Sequence, residues 1–166
     1  MKQEELFPVI QNGKYGFINR NGKIKIRPQF NLAFPFSEGL ARVQVGPEWG
    51  YIDSKGRIVI EPQFEEAGPF SEGLAEVMLD EKYGYIHKSG RMIIQPRFDE
   101  ADHFSEGLAL VKMKDRWGYI DKKGKIVIKP QFDNGFPFSE GLAVVEMDGK
   151  LGYINKKGEY VWGPAK

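Results

Sequence analysis

Four glutamates, Glu38, Glu72, Glu106 and Glu140, each sit in a Ser-Glu-Gly triplet that returns every 34 residues. A row of equivalent carboxylates could bind cations or a repeating ligand. Glycoside hydrolysis, by contrast, needs two acids in different environments across one cleft, and four equivalent glutamates offer no such asymmetry. The structural reading is a turn in which serine and glutamate oxygens accept backbone N–H bonds while glycine redirects the chain. Only two histidines exist. His87 takes the slot filled elsewhere by Asn19, Asp53, Asp121 and Asn155, just before a turn, and His103 replaces the prolines Pro35, Pro69 and Pro137. A metal site needs several convergent ligands, and a hydrolase needs a nucleophile, a base and a group that orients it. Neither set can be assembled from these residues. No Gly-x-Gly-x-x-Gly or phosphate-loop pattern opens a helix. The reading is therefore of a chain without catalytic residues, metal or cofactor.

Aromatic pairs are a second source of chemistry. Trp49 and Tyr51 lie two residues apart and share a face, as do Trp117 and Tyr119, and such rings could stack on sugars. The tryptophan slot is Tyr15, Tyr83 and Leu151 in the other copies, however, as a packing site that accepts any large apolar side chain would be. Phe30, Phe64, Phe98 and Phe132, with Phe36, Phe70, Phe104 and Phe138, are expected to pin connecting segments against the body of the protein.

All these residues are positioned by one repeat. Gly16, Gly50, Gly84, Gly118 and Gly152 keep a 34-residue spacing without an insertion, as do Pro28, Pro62, Pro96, Pro130 and Pro164. The period is that of tetratricopeptide helices, but several glycines and one or two prolines per copy, among β-branched and aromatic residues, signal strands and turns. The fold class is all-β: five tandem three-stranded meanders within a single domain, in units of about 6–39, 40–73, 74–107, 108–141 and 142–166. Gly22, Gly56, Gly90, Gly124 and Gly158 supply the positive φ of the second hairpin turn. Proline is expected to end the third strand by removing a ladder donor, and a connector such as Pro62 to Gly73 then leads to the next copy.

The third strand bears on whether the array closes. Copies two to four carry Ile58-Val59, Met92-Ile93 and Ile126-Val127, apolar on both faces, whereas copy one has Lys25 on one face and copy five has Glu159 on the other. Polar outer faces on the two end copies favour an open, curved, solenoid-like stack, although Trp162 adds apolar area at the C-terminal end. The alternative is a closed five-bladed propeller. Twenty-four basic and twenty-three acidic residues leave a net charge of +1, with no basic run to track a phosphate backbone, which excludes nucleic acid as the expected partner. No apolar run approaches a membrane span and no secretory leader is visible, so the expected setting is cytoplasmic, away from membranes.

The recurring Trp/Tyr-Gly-Tyr-Ile-Asp/Asn, the Lys-x-Gly-Lys-Ile-Val-Ile after it, the Pro-Gln-Phe and the Phe-Ser-Glu-Gly-Leu-Ala together resemble the WG repeat family of bacterial proteins, over Leu6 to Pro164. Departures are Phe17 for tyrosine, Leu151 for tryptophan and His87 for the acid. The resemblance implies an all-β repeat module without recognised catalytic residues and with no particular ligand. Within the repeat, the first hairpin tips vary most: Lys14, Glu48, Glu81, Lys82, Lys114, Asp115, Arg116, Asp148 and Lys150 are the candidate partner-binding residues. A constant frame with changing tips suits a protein-interaction module. The alternative is carbohydrate or cell-wall binding through exposed aromatic rings.

Overall fold

The computed structural model describes residues 4–164. Five antiparallel sheets follow one another along the chain. The first holds β1 (Phe7–Gln11), β2 (Lys14–Ile18) and β3 (Ile24–Phe30). The second holds β4 (Leu32–Ala33), β5 (Ala41–Val45), β6 (Glu48–Ile52) and β7 (Ile58–Phe64), and the third β8 (Glu66–Ala67), β9 (Leu74–Leu79), β10 (Lys82–His87) and β11 (Met92–Phe98). The fourth holds β12 (Glu100–Ser105), β13 (Leu108–Met113), β14 (Arg116–Ile120) and β15 (Ile126–Phe132), and the fifth β16 (Asn134–Gly135), β17 (Ala143–Met147), β18 (Lys150–Ile154) and β19 (Tyr160–Trp162). The three-stranded meander is present in every copy. The connector adds something the sequence reading left out: β4, β8, β12 and β16 form a fourth strand that pairs with the copy that follows, as in Leu32↔Gln44 and Ala33↔Val43. Each 34-residue unit is thus shared between two sheets, which ties neighbouring copies together through backbone as well as side chains.

The proline does not end the third strand. β3, β7, β11 and β15 run two residues past Pro28, Pro62, Pro96 and Pro130. Pairing passes from Tyr119↔Ile128 to Trp117↔Phe132, so one residue, Gly118, lies opposite three on the other strand, and proline sits in this bulge, where a ladder donor is not required. The motif glycine is the other half of the bulge. A Cβ on Gly118 would lie 2.5 Å from the Ile128 carbonyl oxygen, 2.7 Å from Pro130 N and 2.9 Å from the Lys129 carbonyl carbon. Glycine and proline therefore recur together because two backbones touch there. The glutamine of Pro-Gln-Phe closes the bulge by donating to a carbonyl two residues back, as Gln63 does to Glu61 at 3.0 Å.

Each core layer is built from the third residue of the motif and the connector phenylalanine. Tyr51, Tyr85 and Tyr119 meet Phe70, Phe104 and Phe138 edge to face at 4.9 Å, and Phe17 meets Phe36 at 5.0 Å. Apart from the partly buried Phe36, these residues, with Phe64, Phe98 and Phe132, are essentially fully buried, as expected for residues that pin the connectors.

The array is open, for a reason other than the one the third strand suggested. Ile58, Val59, Ile126 and Val127 are exposed, so apolar character on both faces there does not mark covered copies. Glu159 also does not fill the Ile/Met slot: its N–H donates to Asn155 as that of Lys125 does to Asp121, and Tyr160 pairs with Ile154 as Ile126 pairs with Ile120. The open end is read instead from Tyr153, which is 42% exposed where Tyr119 and Tyr85 are 0% exposed. Trp162, in the slot of the buried Ile128, is 59% exposed. Among the described residues no sheet covers the last copy, and the first copy has no fourth strand.

Candidate functional site: the hairpin-tip edge

Antiparallel connectivity sorts the loops. In each four-stranded sheet, the turns joining strands one to two and three to four lie at one end, and the hairpin tip and the link to the next sheet lie at the other. The tips consequently form one edge and the Ser-Glu-Gly turns the opposite edge.

All nine candidate tip residues are exposed and lie along the tip edge. One residue after the third-strand phenylalanine fixes each tip to the next. Asn31 accepts from Gly46 N–H at 3.3 Å, Glu65 from Glu81 N–H at 3.2 Å, Asp99 from Lys114 N–H at 3.1 Å and Asp133 from Asp148 N–H at 2.7 Å. The same residues reach back to the preceding tip: Lys14 Nζ lies 3.5 Å from Asn31, Lys82 pairs with Asp99 and Arg116 with Asp133. The Lys82 hydrogen bond, helped by Lys114 N–H, holds the Asp99 carboxyl below the usual aspartate range. These bridging residues were not singled out from the sequence, though an acid or amide in that slot of four successive copies was the signal. The side chains of Glu48, Glu81, Lys114, Asp115, Asp148 and Lys150 make no hydrogen bond or ion pair among the described residues and stand free for another molecule.

The tips are also strained where their charge is densest. Copies one and five turn through Asn12-Gly13 and Asp148-Gly149, residue types suited to two consecutive positive φ angles. Copies three and four turn through Asp80 (φ 49°) and Glu81 (φ 65°), and through Lys114 (φ 49°) and Asp115 (φ 69°). Left-handed glutamate and lysine are disfavoured by roughly 1 kcal/mol or more each.

The opposite edge carries the glutamates, and their role is structural across copies. Glu72 Oε2 and Oε1 accept from Glu106 N–H at 2.7 Å and Gly107 N–H at 2.9 Å, with Lys122 Nζ at 3.6 Å. Glu38 and Glu106 repeat this with the turns at 72–73 and 140–141, and with Lys88 and Lys156. Partial burial works against ionisation of Glu72, but the two N–H donors and Lys122 outweigh it and lower its pKa. The serine acts in the opposite sense to the expectation: Ser37, Ser71 and Ser105 hydroxyls donate to the carbonyls of Phe70, Phe104 and Phe138 at 2.6–2.8 Å.

His87 ends β10, its Nδ1 accepting from Ser89 N–H at 3.1 Å, while His103 Nδ1 pairs with Asp102 at 2.7 Å. Among the described residues no cluster of three His, Cys, Asp or Glu side chains could hold a metal ion. The inner rings are packed: Trp49 is 7% exposed and Tyr51 1%, with the Tyr51, Tyr85 and Tyr119 hydroxyls donating to the Gly68, Asp102 and Phe136 carbonyls.

One slot on the strand-one side of the sheets carries charge that sequence reasoning missed. Arg42 and Glu76 stand where the last two copies have Leu110 and Val144, and they line a cleft of about 140 Å³ with Ala67, Gly68 and Tyr83. Arg42 stacks on Phe34 at 4.0 Å and donates to the Ala67 carbonyl at 2.7 Å. Glu76 is buried, and desolvation, with the Asp102 charge, pushes it up to about 7. Gly68 fits here because a Cβ would collide with the Glu76 carboxyl. A charge in an otherwise apolar alternating strand was the available signal.

The fold and its paired edges define a class: an all-β array of tandem repeats whose recurring residues build the frame. The chain belongs to the WG containing repeat family, whose model matches residues 15–46, 49–83, 83–117 and 117–150. No curated protein matches it in sequence. Among solved structures, it is similar to a eukaryotic initiation factor (12% identity, 97% of this chain and 52% of that one, TM-score 0.63). It is also similar to Kluyveromyces lactis Hsv2 (10%, 95% and 58%, TM-score 0.61) and to the WD40 β-propeller domain of Doa1 (10%, 95% and 64%, TM-score 0.51). The chain spans about half to two thirds of the length of these structures, and at such identities the likeness is one of fold alone.

Proposed function

We propose that this chain is a non-enzymatic scaffold whose hairpin-tip edge is a protein-interaction surface. The observation that carries the reading is the strained pair of tips in copies three and four. Asn-Gly and Asp-Gly close the same turn in copies one and five, so the Glu81 and Lys114-Asp115 side chains are present at a local conformational cost. The left-handed glutamates of the opposite edge are accounted for by bonds between copies, whereas the side chains of Glu81, Lys114 and Asp115 have no partner among the described residues that would account for the cost. The junction residues Asn31, Glu65, Asp99 and Asp133 hold the row in register, which presents alternating charges to a partner as a rigid strip. Burial of the inner tyrosines and of Trp49 favours this reading over sugar stacking.

Cross-linking in a lysate of the source cells tests it, with the captured partner identified by mass spectrometry. A tip variant (Lys114→Ser, Asp115→Gly, Arg116→Ser) is expected to lose a partner that the wild type and an opposite-edge variant (Lys122→Ser, Lys123→Ser) retain. Loss with the opposite-edge variant and retention with the tip variant would reject the proposal.

A further inference from the structure

An isoleucine–glycine contact recurs at all four internal junctions and a glutamate contact at three of them, and the two ends of the described array carry unfilled halves of both. At each junction an isoleucine of one copy meets the turn glycine of the next: a Cβ on Gly56, Gly90, Gly124 or Gly158 would lie against Ile26, Ile60, Ile94 or Ile128. Gly22, the same glycine in copy one, has open space around it. At the other end Trp162 occupies the isoleucine slot, paired with Tyr153 as Ile128 is with Tyr119, and is 59% exposed. The apolar residues around these positions are likewise uncovered. Val9 and Ile18 are half-buried in copy one, whereas Val111 and Ile120 in the same slots are 0% exposed.

The polar contacts are unfilled in the same sense. Glu38, Glu72 and Glu106 each bind the turn N–H pair of the next copy and a lysine of its second turn, whereas Glu140 has no such pair above it among the described residues. The position that Lys88, Lys122 and Lys156 hold in their copies is Arg20 in copy one, where it pairs with Glu5, and Glu4 is near Lys25 at 3.8 Å.

We infer that the C-terminal face of one chain docks on the N-terminal face of a second copy, head to tail, continuing the internal junction. In that register Trp162 covers the partner copy's turn at Gly22, and Glu140 meets the Arg20 guanidinium. The interface is heterologous, so each chain offers one donor face and one acceptor face, and the assembly either closes as a ring or extends. A second copy fits better than an unrelated partner because both faces belong to the same chain, and the contacts they would form already recur inside it, the isoleucine–glycine contact at four junctions and the glutamate–cation contact at three.

The test is the mass in solution by sedimentation, between ~1 µM and ~1 mM, the span over which weak association reads out. The wild type is expected to rise above monomer mass with concentration. A C-face variant (Glu140→Lys, Trp162→Lys) and an N-face variant (Val9→Lys, Arg20→Glu), each verified by thermal melting, are each expected to stay monomeric alone and to form a heterodimer, and nothing larger, when mixed. Arg20→Glu alone serves as the N-face variant if the double change lowers the melting temperature. A wild type that is monomeric throughout leaves the end faces to another occupant and overturns the inference. Association that survives the C-face variant, or blocked variants that do not complement each other, overturns it as well.

Discussion

Replacing Gly118 with alanine tests the physical reading of the repeat's most regular residue. The new Cβ would sit 2.5 Å from the Ile128 carbonyl oxygen and 2.7 Å from Pro130 N. That is about 1 Å inside the separation of roughly 3.5 Å at which heavy-atom contacts are comfortable. Both neighbours are backbone atoms of a paired strand, so relief requires β14 and β15 to move apart and their ladder to stretch. Overpacking in a core costs about 1–3 kcal/mol, and the backbone clash places Gly118→Ala at or above the upper end, ~3 kcal/mol or more. Gly152 is the control. There the atom met first is Tyr160 Cε1, at 2.8 Å, on a side chain that is 41% exposed and can rotate away, with the Trp162 carbonyl at 3.0 Å. Gly152→Ala should cost about 1 kcal/mol. Urea unfolding followed by circular dichroism reads both changes. Equal losses at the two sites, or a Gly118→Ala loss below about 1 kcal/mol, would refute the claim that the glycine is set by the bulge at Pro130.

Four further outcomes are expected. Glu72→Gln should destabilise by about 1 kcal/mol, discounted because the side chain is 33% exposed. The folded pKa values of Glu72 and Glu106 are lowered, Glu72 as described and Glu106 chiefly by Gly141 N–H. Their contribution is therefore complete above the ordinary glutamate range near 4.3 and is lost as pH falls through the lower folded values, which a pH series of melting curves would display as a steeper acid loss in wild type than in the double glutamine variant. Glu76 has the opposite sign. Its folded pKa is raised to about 7, so stability falls as pH rises from the ordinary value toward 7, and Glu76→Leu, the residue of copy four, should remove that fall and stabilise the chain by on the order of 2–3 kcal/mol at pH 8. Tyr85→Phe should cost about 1–2 kcal/mol by leaving the Asp102 carbonyl without its 2.7 Å donor, measured by urea unfolding; copy one already tolerates phenylalanine in that slot at Phe17.

The period, the strands and the role of the tip loops as an exposed edge were legible in the sequence because they follow from residue type at fixed spacing. Asn19 and its equivalents show this, bonding N–H groups two and four residues on, as Asp53 does to Lys55 and Arg57 at 3.0 Å. What sequence reading could not supply were pairings between residues far apart along the chain. Pro130 ends a strand when read locally and belongs to a bulge once Gly118 is placed opposite it. The connector strand β12 is visible only through its partner β13 in the next copy. Single-copy logic likewise suggested that Ser-Glu-Gly satisfies itself, whereas Glu72 bonds a turn 34 residues later. The exposed Ile58 and Val59 misled for a related reason: apolar character on both faces of a strand says nothing about which neighbour covers it.

An open array keeps its first and last copies apart, and the absence of cysteine makes a distance measurement across it direct. Spin labels at Asn21→Cys and Lys157→Cys mark the same turn in copies one and five, and labels at Lys55→Cys and Ser89→Cys mark it in the adjacent copies two and three. Dipolar spectroscopy on labelled chain diluted into unlabelled chain should give a much longer separation for the first pair than for the second. Equal separations would mean that copies one and five are neighbours in a closed ring, and would contradict the open array and the end-to-end docking derived from it.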